Sequence, residues 1–263
     1  MLQNGLLRLS MLLLFPAMSG AAGSTPALTP DRTSVEEARV AIGFKINKRR
    51  RKVDASVVER FRSLPVANVS DSMFRMTAGG ARLRPMHAGG VLAGPALTVK
   101  SRPGDNLMAH AALNRAEKGD VLVIDAGGDL TNSIMGELMF TYAEKIGLAG
   151  VVIYGAIRDY GWVRKSNFPI FATGVTHRGP YKDGPGEMNV RIAIEGMVID
   201  PGDLILGDDD GVLCVPYDDV EVVYKAAAAK GEAEKKTMSA TFAGNVDRSW
   251  VEDALKKLGC EGA

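Results

Sequence analysis

Four short runs of apolar and β-branched residues, at 91–100, 121–124, 151–154 and 169–171, constrain this chain most, and Gly, Pro or Asp bounds each. Such runs, short and largely apolar, are those of strands covered on both faces. Helical stretches separate them. The clearest is the stripe Ile134, Met135, Leu138, Met139, Tyr142, Ala143 and Ile146, which recurs at three and four residues and which Gly147 terminates. Buried strands alternating with amphipathic helices predict an α/β fold.

Upstream, Val57, Val58, Phe61 and Leu64 recur at helical spacing and stop before Pro65. Ser70-Asp71 is expected to cap or enter a second short helix through Met73 and Met76, and both helices are expected to flank a sheet. After Arg191 the pattern changes to short strands joined by the turns Pro201-Gly202-Asp203 and Asp208-Asp209-Asp210-Gly211, a hairpin-rich β layer. A long amphipathic helix is predicted over 220 to about 238, with a short one after Asp247.

These elements form one continuous domain over 54–263. Residues 1–30 form a leader: an apolar stretch at 6–18, broken by Arg8, Ser10 and Pro16, and a small-residue tail at 19–23. This resembles a secretory signal but is shorter than the ~20 apolar residues that span a bilayer. The expectation is a cytoplasmic protein with an upstream extension, or a periplasmic one if the leader is a signal. Residues 31–53 read as a basic linker, and the run Lys45, Lys48, Arg49, Arg50, Arg51, Lys52 reads as solvated because no aromatic residues interleave with it.

With 46% of 263 residues apolar and 24% charged, the chain can bury a substantial core. Lys and Arg total 32 against 31 for Asp and Glu, so no global field would hold nucleic acid. Cys214 and Cys260 cannot make a disulfide framework, and Cys214, inside 212–215, reads as a core residue. His87, His110 and His177 lack zinc-ligand spacing. No membrane span is expected, and a small-molecule site is.

The strand at 119–125 ends in Asp125-Ala126-Gly127-Gly128, half of a nucleotide-binding fingerprint. No G-x-G-x-x-G follows and no acidic residue is placed for a ribose, so a tight turn explains the glycines equally well. Free backbone N–H groups where a helix opens near Gly136-Glu137-Leu138 suit a carboxylate or phosphate. The next strand ends in Gly155-Ala156-Ile157-Arg158-Asp159, placing an Arg–Asp pair where ligands collect in open α/β sheets. Arg offers a fixed fork of donors, and Asp is a hard oxygen ligand. The plain alternative is a surface ion pair.

Glu137, 20 intervening residues and then Arg158-Asp159 resembles the Asp/Glu-x20-Arg-Asp signature of the RraA-like proteins. These include the 4-hydroxy-4-methyl-2-oxoglutarate/4-carboxy-4-hydroxy-2-oxoadipate aldolases. The resemblance extends to 64–71, 92–98, Pro103-Gly104-Asp105-Asn106 with His110, and 198–216, covering roughly 54–238. It implies a three-layer β/β/α fold, a homotrimer or homohexamer, and sites between subunits. The wider family includes class II pyruvate aldolases, oxaloacetate decarboxylases and inhibitors of ribonuclease E, the last lacking the acidic residue before the spacer. Glu137 keeps the enzyme form of the motif.

Cleaving a 4-hydroxy-2-oxo acid requires a stabilised pyruvate enolate, through a lysine Schiff base or a divalent metal. The resemblance implies the metal, since its motif contains no lysine. Asp159 would ligate Mg²⁺ or Mn²⁺, Glu137 would hold a metal-bound water, and Arg158 would face the forming enolate. The backbone N–H groups of Leu138 and Met139, with Asn106 opposite, would hold the substrate carboxylate. Asp71 stands where aldolases of the family carry an acidic residue near the metal, and Glu232 or Glu234 would reach in from a neighbouring subunit. A metal-bound water, or else His110 or His177, would move protons. The expected function is thus a metal-dependent lyase acting on 4-hydroxy-2-oxo acids or oxaloacetate. The alternative is a non-catalytic regulator that binds a ribonuclease.

Overall fold

The apolar runs become the middle of a large mixed sheet. The computed structural model describes residues 42–77 and 79–262. The leader at 1–30 and the linker up to 41 lie outside the described residues. The chain begins with β1 (Phe44–Ile46), α1 (Ala55–Phe61), α2 (Val66–Ser72), β2 (Arg84–Pro85), β3 (Leu92–Ser101), α3 (Leu107–Leu113) and β4 (Val121–Asp125). It continues with β5 (Ser133–Met135), α4 (Glu137–Lys145), β6 (Gly150–Ile157), α5 (Tyr160–Val163), β7 (Ile170–Val175) and β8 (Gly186–Met188). Two hairpins follow, β9 (Ile192–Ile194) with β10 (Met197–Ile199) and β11 (Leu204–Asp208) with β12 (Gly211–Val215), and then α6 (Val220–Phe242) and α7 (Ser249–Lys257).

The sheet runs β1-β8-β3-β4-β6-β7-β2, and its centre, β3-β4-β6-β7, is parallel. Successive side chains of these strands part to opposite faces. Leu122, Ile124, Val151, Ile153, Ile170 and Ala172 meet Met108, Ala109 and Ala112 of α3 and Phe140 and Ala143 of α4. Val121, Val123, Val152 and Phe171 turn the other way, onto Ile192, Ile194, Met197, Ile205 and Cys214 of the hairpin layer. β3 belongs to both β layers: Leu92–Pro95 pairs with β11, and Ala96–Lys100 with β4.

The predicted order of layers is present, with one more beyond it. In β11 and β12, Leu204, Leu206, Leu213 and Val215 point away from the central sheet onto Val58 and Phe61 of α1, Val66 and Val69 of α2, and Val220 and Val223 of α6. Both faces of that hairpin are apolar, so a second helical layer must cover the outer one. The three-layer expectation omits this layer because amphipathic spacing shows that a helix packs, not on which face.

Local expectations also shift. α2 starts directly after Pro65, so Ser70 and Asp71 lie near its end and do not cap a later helix. Its first N–H, at Val66, is satisfied from a distance by Asp208 Oδ2 at 2.9 Å. Ile134 and Met135 fit the helical stripe but form β5, which pairs with the end of β6, and α4 opens at Glu137. Gly147, at φ +84°, ends α4 as expected.

The basic run is not a free linker. β1 pairs in register with β8, and the nearly buried Arg49 makes two bonds to the fully buried Asp120 carboxylate, at 2.8 and 3.1 Å. The body therefore starts at residue 44, ten residues earlier than expected. Among the described residues no helix is long and apolar enough to cross a membrane.

Candidate active site

A pocket of about 260 Å³ opens beyond the carboxyl ends of β5 and β6. Asn106, His110, Met135, Gly136, Leu138, Met139, Arg158, Asp159 and Lys182 are among its lining residues. This is the sheet edge where the sequence placed the Arg–Asp pair.

Arg158 and Asp159 follow β6 directly, and the Arg158 N–H donates to Met135 O at 3.0 Å, tying the turn to β5. Asp159 sits in the left-handed region at φ 57°, ψ 36°. A non-glycine residue there is held by its surroundings, at a cost of about 1–3 kcal/mol. One such hold is visible: Asp159 Oδ2 accepts the Glu137 N–H at the start of α4, at 2.9 Å. Arg158 Nε lies 3.8 Å from that same oxygen, too far for a hydrogen bond. The two charges therefore lie in contact without a hydrogen bond between them, and among the described residues the guanidinium donates to no other group.

Gly136 makes this approach feasible. A Cβ there would stand 2.3 Å from Asp159 Oδ2 and 2.8 Å from Arg158 Cγ. Beyond it, the Leu138 N–H has no partner among the described residues, whereas the Met139 N–H already donates to Gly136 O at 3.0 Å. Of the two N–H groups expected to bind a carboxylate, only that of Leu138 is unengaged. Glu137 is exposed at the start of α4 beside the pocket, and its side chain is not part of the lining.

Asn106, 2% exposed, precedes α3. Its Nδ2 donates to Ile134 O at 2.9 Å, while its buried Oδ1 has no partner among the described residues. The fully buried Asp105 fixes this corner, because its carboxylate accepts the N–H groups of Leu107 (2.9 Å), Asp183 (2.7 Å) and Gly184 (2.9 Å). One buried side chain thus fastens the loop carrying Lys182 to the start of α3. His110, one turn into α3, has its pKa lowered below the ordinary histidine value, first by burial and then by the Lys182 charge.

The remaining predicted residues lie elsewhere in the protomer. Asp71 is bound by Arg75 (2.9 Å) and Lys230 (3.2 Å) where α2 packs on α6. Glu234 belongs to the same cluster, bonded to Lys230 at 3.0 Å and to Asn68 at 2.7 Å. Glu232 pairs with Lys235 on the exposed side of α6. Within one protomer Asp71 therefore does not join the pocket, being turned toward the outer helical layer. His177 is exposed and does not line the pocket. Cys214 is buried, as expected. Conversely, Lys182 and Asp105 were not singled out as site residues: Lys182 sits in an aperiodic loop whose position depends on bonds to residues about 80 positions earlier.

Comparison with known proteins agrees with this architecture. The family model described as RraA-like, Aldolase/RraA, matches residues 66–214. A Halalkalibacterium halodurans protein, provisionally named 4-hydroxy-4-methyl-2-oxoglutarate aldolase, is 40% identical over 185 residues, covering 69% of this chain and 88% of the relative. Among solved structures, Streptomyces coelicolor RraAS2, described as an unusual member of the RNase ES inhibitor RraA family, matches with a TM-score of 0.64 at 26% identity, covering 71% of this chain and 98% of that one. The RNA-processing inhibitor RraA from Thermus thermophilis matches with a TM-score of 0.54 at 29% identity, covering 58% and 92%. The chain belongs to the RraA-like family.

Proposed function

We propose that this chain is a carbon–carbon lyase: a divalent-metal-dependent class II pyruvate aldolase that cleaves 4-hydroxy-2-oxo acids of the 4-hydroxy-4-methyl-2-oxoglutarate type and also decarboxylates oxaloacetate. The observation that carries this reading is the pair Arg158 and Asp159, lining one pocket at the start of α4 without being bonded to each other. The name carried by the Halalkalibacterium halodurans relative supports it.

The donor set suits the expected ion. Asp159 is 42% exposed and its bonded oxygen is Oδ2, which leaves Oδ1 for a ligand. Among the described residues no three His, Cys, Asp or Glu side chains gather as a ligand cage. One or two carboxylates completed by water is how Mg²⁺ is commonly held, so Mg²⁺ or Mn²⁺ fits. Asp159 would hold it directly and Glu137 through a water, and Glu234 would contribute only from a neighbouring subunit. Bound there, the ion supplies a Lewis acid for the 2-oxo group.

The chain's own groups do the rest. The Leu138 N–H orients the substrate carboxylate, with the second Nδ2 hydrogen of Asn106, otherwise turned to Met139 Sδ at 3.5 Å, as the donor on the other side. Arg158 donates to the 2-oxo oxygen as it takes up negative charge, a contribution of about 10²–10³ in rate for such donors. His110, kept neutral by its surroundings, accepts the 4-hydroxyl proton while the C3–C4 bond breaks and its electrons pass to the C2 oxygen. Lys182 adds positive charge for a dianionic substrate. Around the pocket, Leu138 (84% exposed), Tyr142 and Tyr160 leave apolar surface uncovered, which supports a homotrimer or homohexamer closing over the site.

The test is pyruvate release from a panel of oxo acids. Chelation is expected to abolish it and Mg²⁺ or Mn²⁺ to restore it, and borohydride trapping of a substrate adduct on Lys182 would overturn the metal route. Light scattering is expected to give three or six subunits, and a fully active monomer would remove the interface from the reading. No release from any oxo acid would favour a second reading, a regulator of RNA turnover, which the likeness to the Thermus RNA-processing inhibitor and to a member of the RNase ES inhibitor family supports.

A further inference from the structure

The basic run has no part in the aldolase chemistry, and it precedes the family match at 66–214. The fold nevertheless fixes it in place. β1 lies on β8, Asn47 Nδ2 donates to Met188 O at 3.2 Å, and Asn189 Nδ2 donates to Asn47 O at 2.9 Å. Arg49 is held by Asp120, Arg51 pairs with Asp218 at 2.8 Å, and Lys52 pairs with Glu117. Half of the run's charge is thereby neutralised.

Lys48 and Arg50 are different. Both are exposed, and among the described residues neither pairs with a carboxylate. With Asn47, Arg51, Asn189, Asp200 and Pro201 they line a cleft of about 690 Å³, larger than the candidate active pocket. Its one acid, Asp200, is gripped by Arg191 through two bonds at 2.8 and 2.7 Å, which lower its pKa and use up its charge. An adjoining hollow of about 490 Å³ shares Asn47, Lys48 and Asn189 and adds Arg115, whose guanidinium donates to Ala111 O of α3, and one acid, Glu117, whose carboxylate is taken up by Arg49 and Lys52. The net charge of the whole chain is only +1, so this edge concentrates what the rest of the surface balances out.

We propose that the cleft along residues 47–51 binds an anion of linked phosphates, with Lys48, Arg50 and Arg115 as its cationic contacts. Guanidinium forks suit phosphate oxygens, and cations spread over two joined hollows suit a chain of phosphates better than a single ion. Among the described residues no aromatic side chain lines either hollow to stack on a base, and recognition rests on the phosphates.

Tripolyphosphate titrated into the full chain at low salt, followed by calorimetry, tests this. The native chain is expected to bind it, and the Lys48→Glu/Arg50→Glu double variant to bind at least about tenfold more weakly, which is about 1.4 kcal/mol. Both positions are exposed, so the ligand-free melt of the double variant should be unchanged. Arg158→Ala should bind like the native chain, which separates this cleft from the active pocket. ATP should bind no more tightly than tripolyphosphate, and citrate more weakly. Absence of binding by the native chain, equal binding by the double variant, loss of binding in Arg158→Ala, or preference for ATP or citrate would each overturn the proposal.

Discussion

Two Arg–Asp pairs in this chain have the same chemistry and opposite settings. Arg49 and Asp120 meet through two bonds with side chains 9% and 0% exposed, and Asp120 also accepts the Glu117 N–H at 2.9 Å. Arg158 and Asp159 are adjacent in sequence, 44% and 42% exposed, and 3.8 Å apart. In the first pair both carboxylate oxygens and both guanidinium NH₂ groups are engaged with each other, and the pair fastens β1 and the run after it to the sheet. In the second, a left-handed backbone and one helix N–H hold the carboxylate, while among the described residues the guanidinium makes no hydrogen bond. Full mutual satisfaction marks a structural pair, and unspent capacity beside a pocket marks a candidate catalytic one.

The sharpest way to break this contrast is to remove one acid from the buried pair. Asp120→Ala should destabilise the fold by about 3–5 kcal/mol, because Arg49 would lose its buried counter-charge. The value should fall toward the lower end, since Glu117 lies 3.2 Å from Arg49 and takes up part of that charge. Denaturant unfolding reads this directly, and a loss below about 1 kcal/mol would make the pair no different from a surface one. At the other pair the effects should exchange places. Arg158→Ala should lower kcat/KM for oxo-acid cleavage by about 10²–10³, with stability changing by about 0–1 kcal/mol. Arg158→Lys keeps the charge but loses the planar fork, and should still cost about tenfold or more in kcat and kcat/KM. Unchanged kinetics in folded Arg158→Lys would return this pair to the structural class.

The smallest effect concerns His110. Burial and then Lys182 lower its pKa from the usual 6.5, so the unfolded chain binds the proton more readily than the folded one. Stability contributed by neutral His110 is present above pH 6.5 and is lost as pH falls below it. Lys182→Met removes the second cause and leaves burial in place. The His110 titration, followed by NMR, should therefore move upward, and the acid limb of the kcat/KM profile should move with it. An unmoved titration would mean that Lys182 does not reach His110 in solution.

Legibility in the sequence followed the range of the interactions. The central strands are readable to within a few residues, because a strand buried on both faces leaves a short apolar, β-branched run bounded by Gly, Pro or Asp. β5 is not legible in the sequence because Ile134 and Met135 satisfy helical spacing equally well, and only pairing with β6 decides the matter. Arg158, Asp159 and Asn106 were found through a motif, and all three line the pocket. Asp71 was found the same way, yet it faces Lys230 and Arg75, since a motif fixes an order along the chain and not a direction in space. Lys182 left no trace: its place depends on Asp105 reaching the N–H groups of Asp183 and Gly184.

β3 carries a consequence for how the molecule comes apart. Its first four residues hydrogen-bond to β11 and its next five to β4, so a single strand is shared by the layer that faces the pocket helices and the layer that carries the hairpins. Partial opening of a protein normally follows a boundary between units that can separate, and here the two β layers have one strand in common. Loosening either layer disturbs the pairing of the other. Heat or denaturant therefore meets one cooperative unit where the layering alone would suggest two.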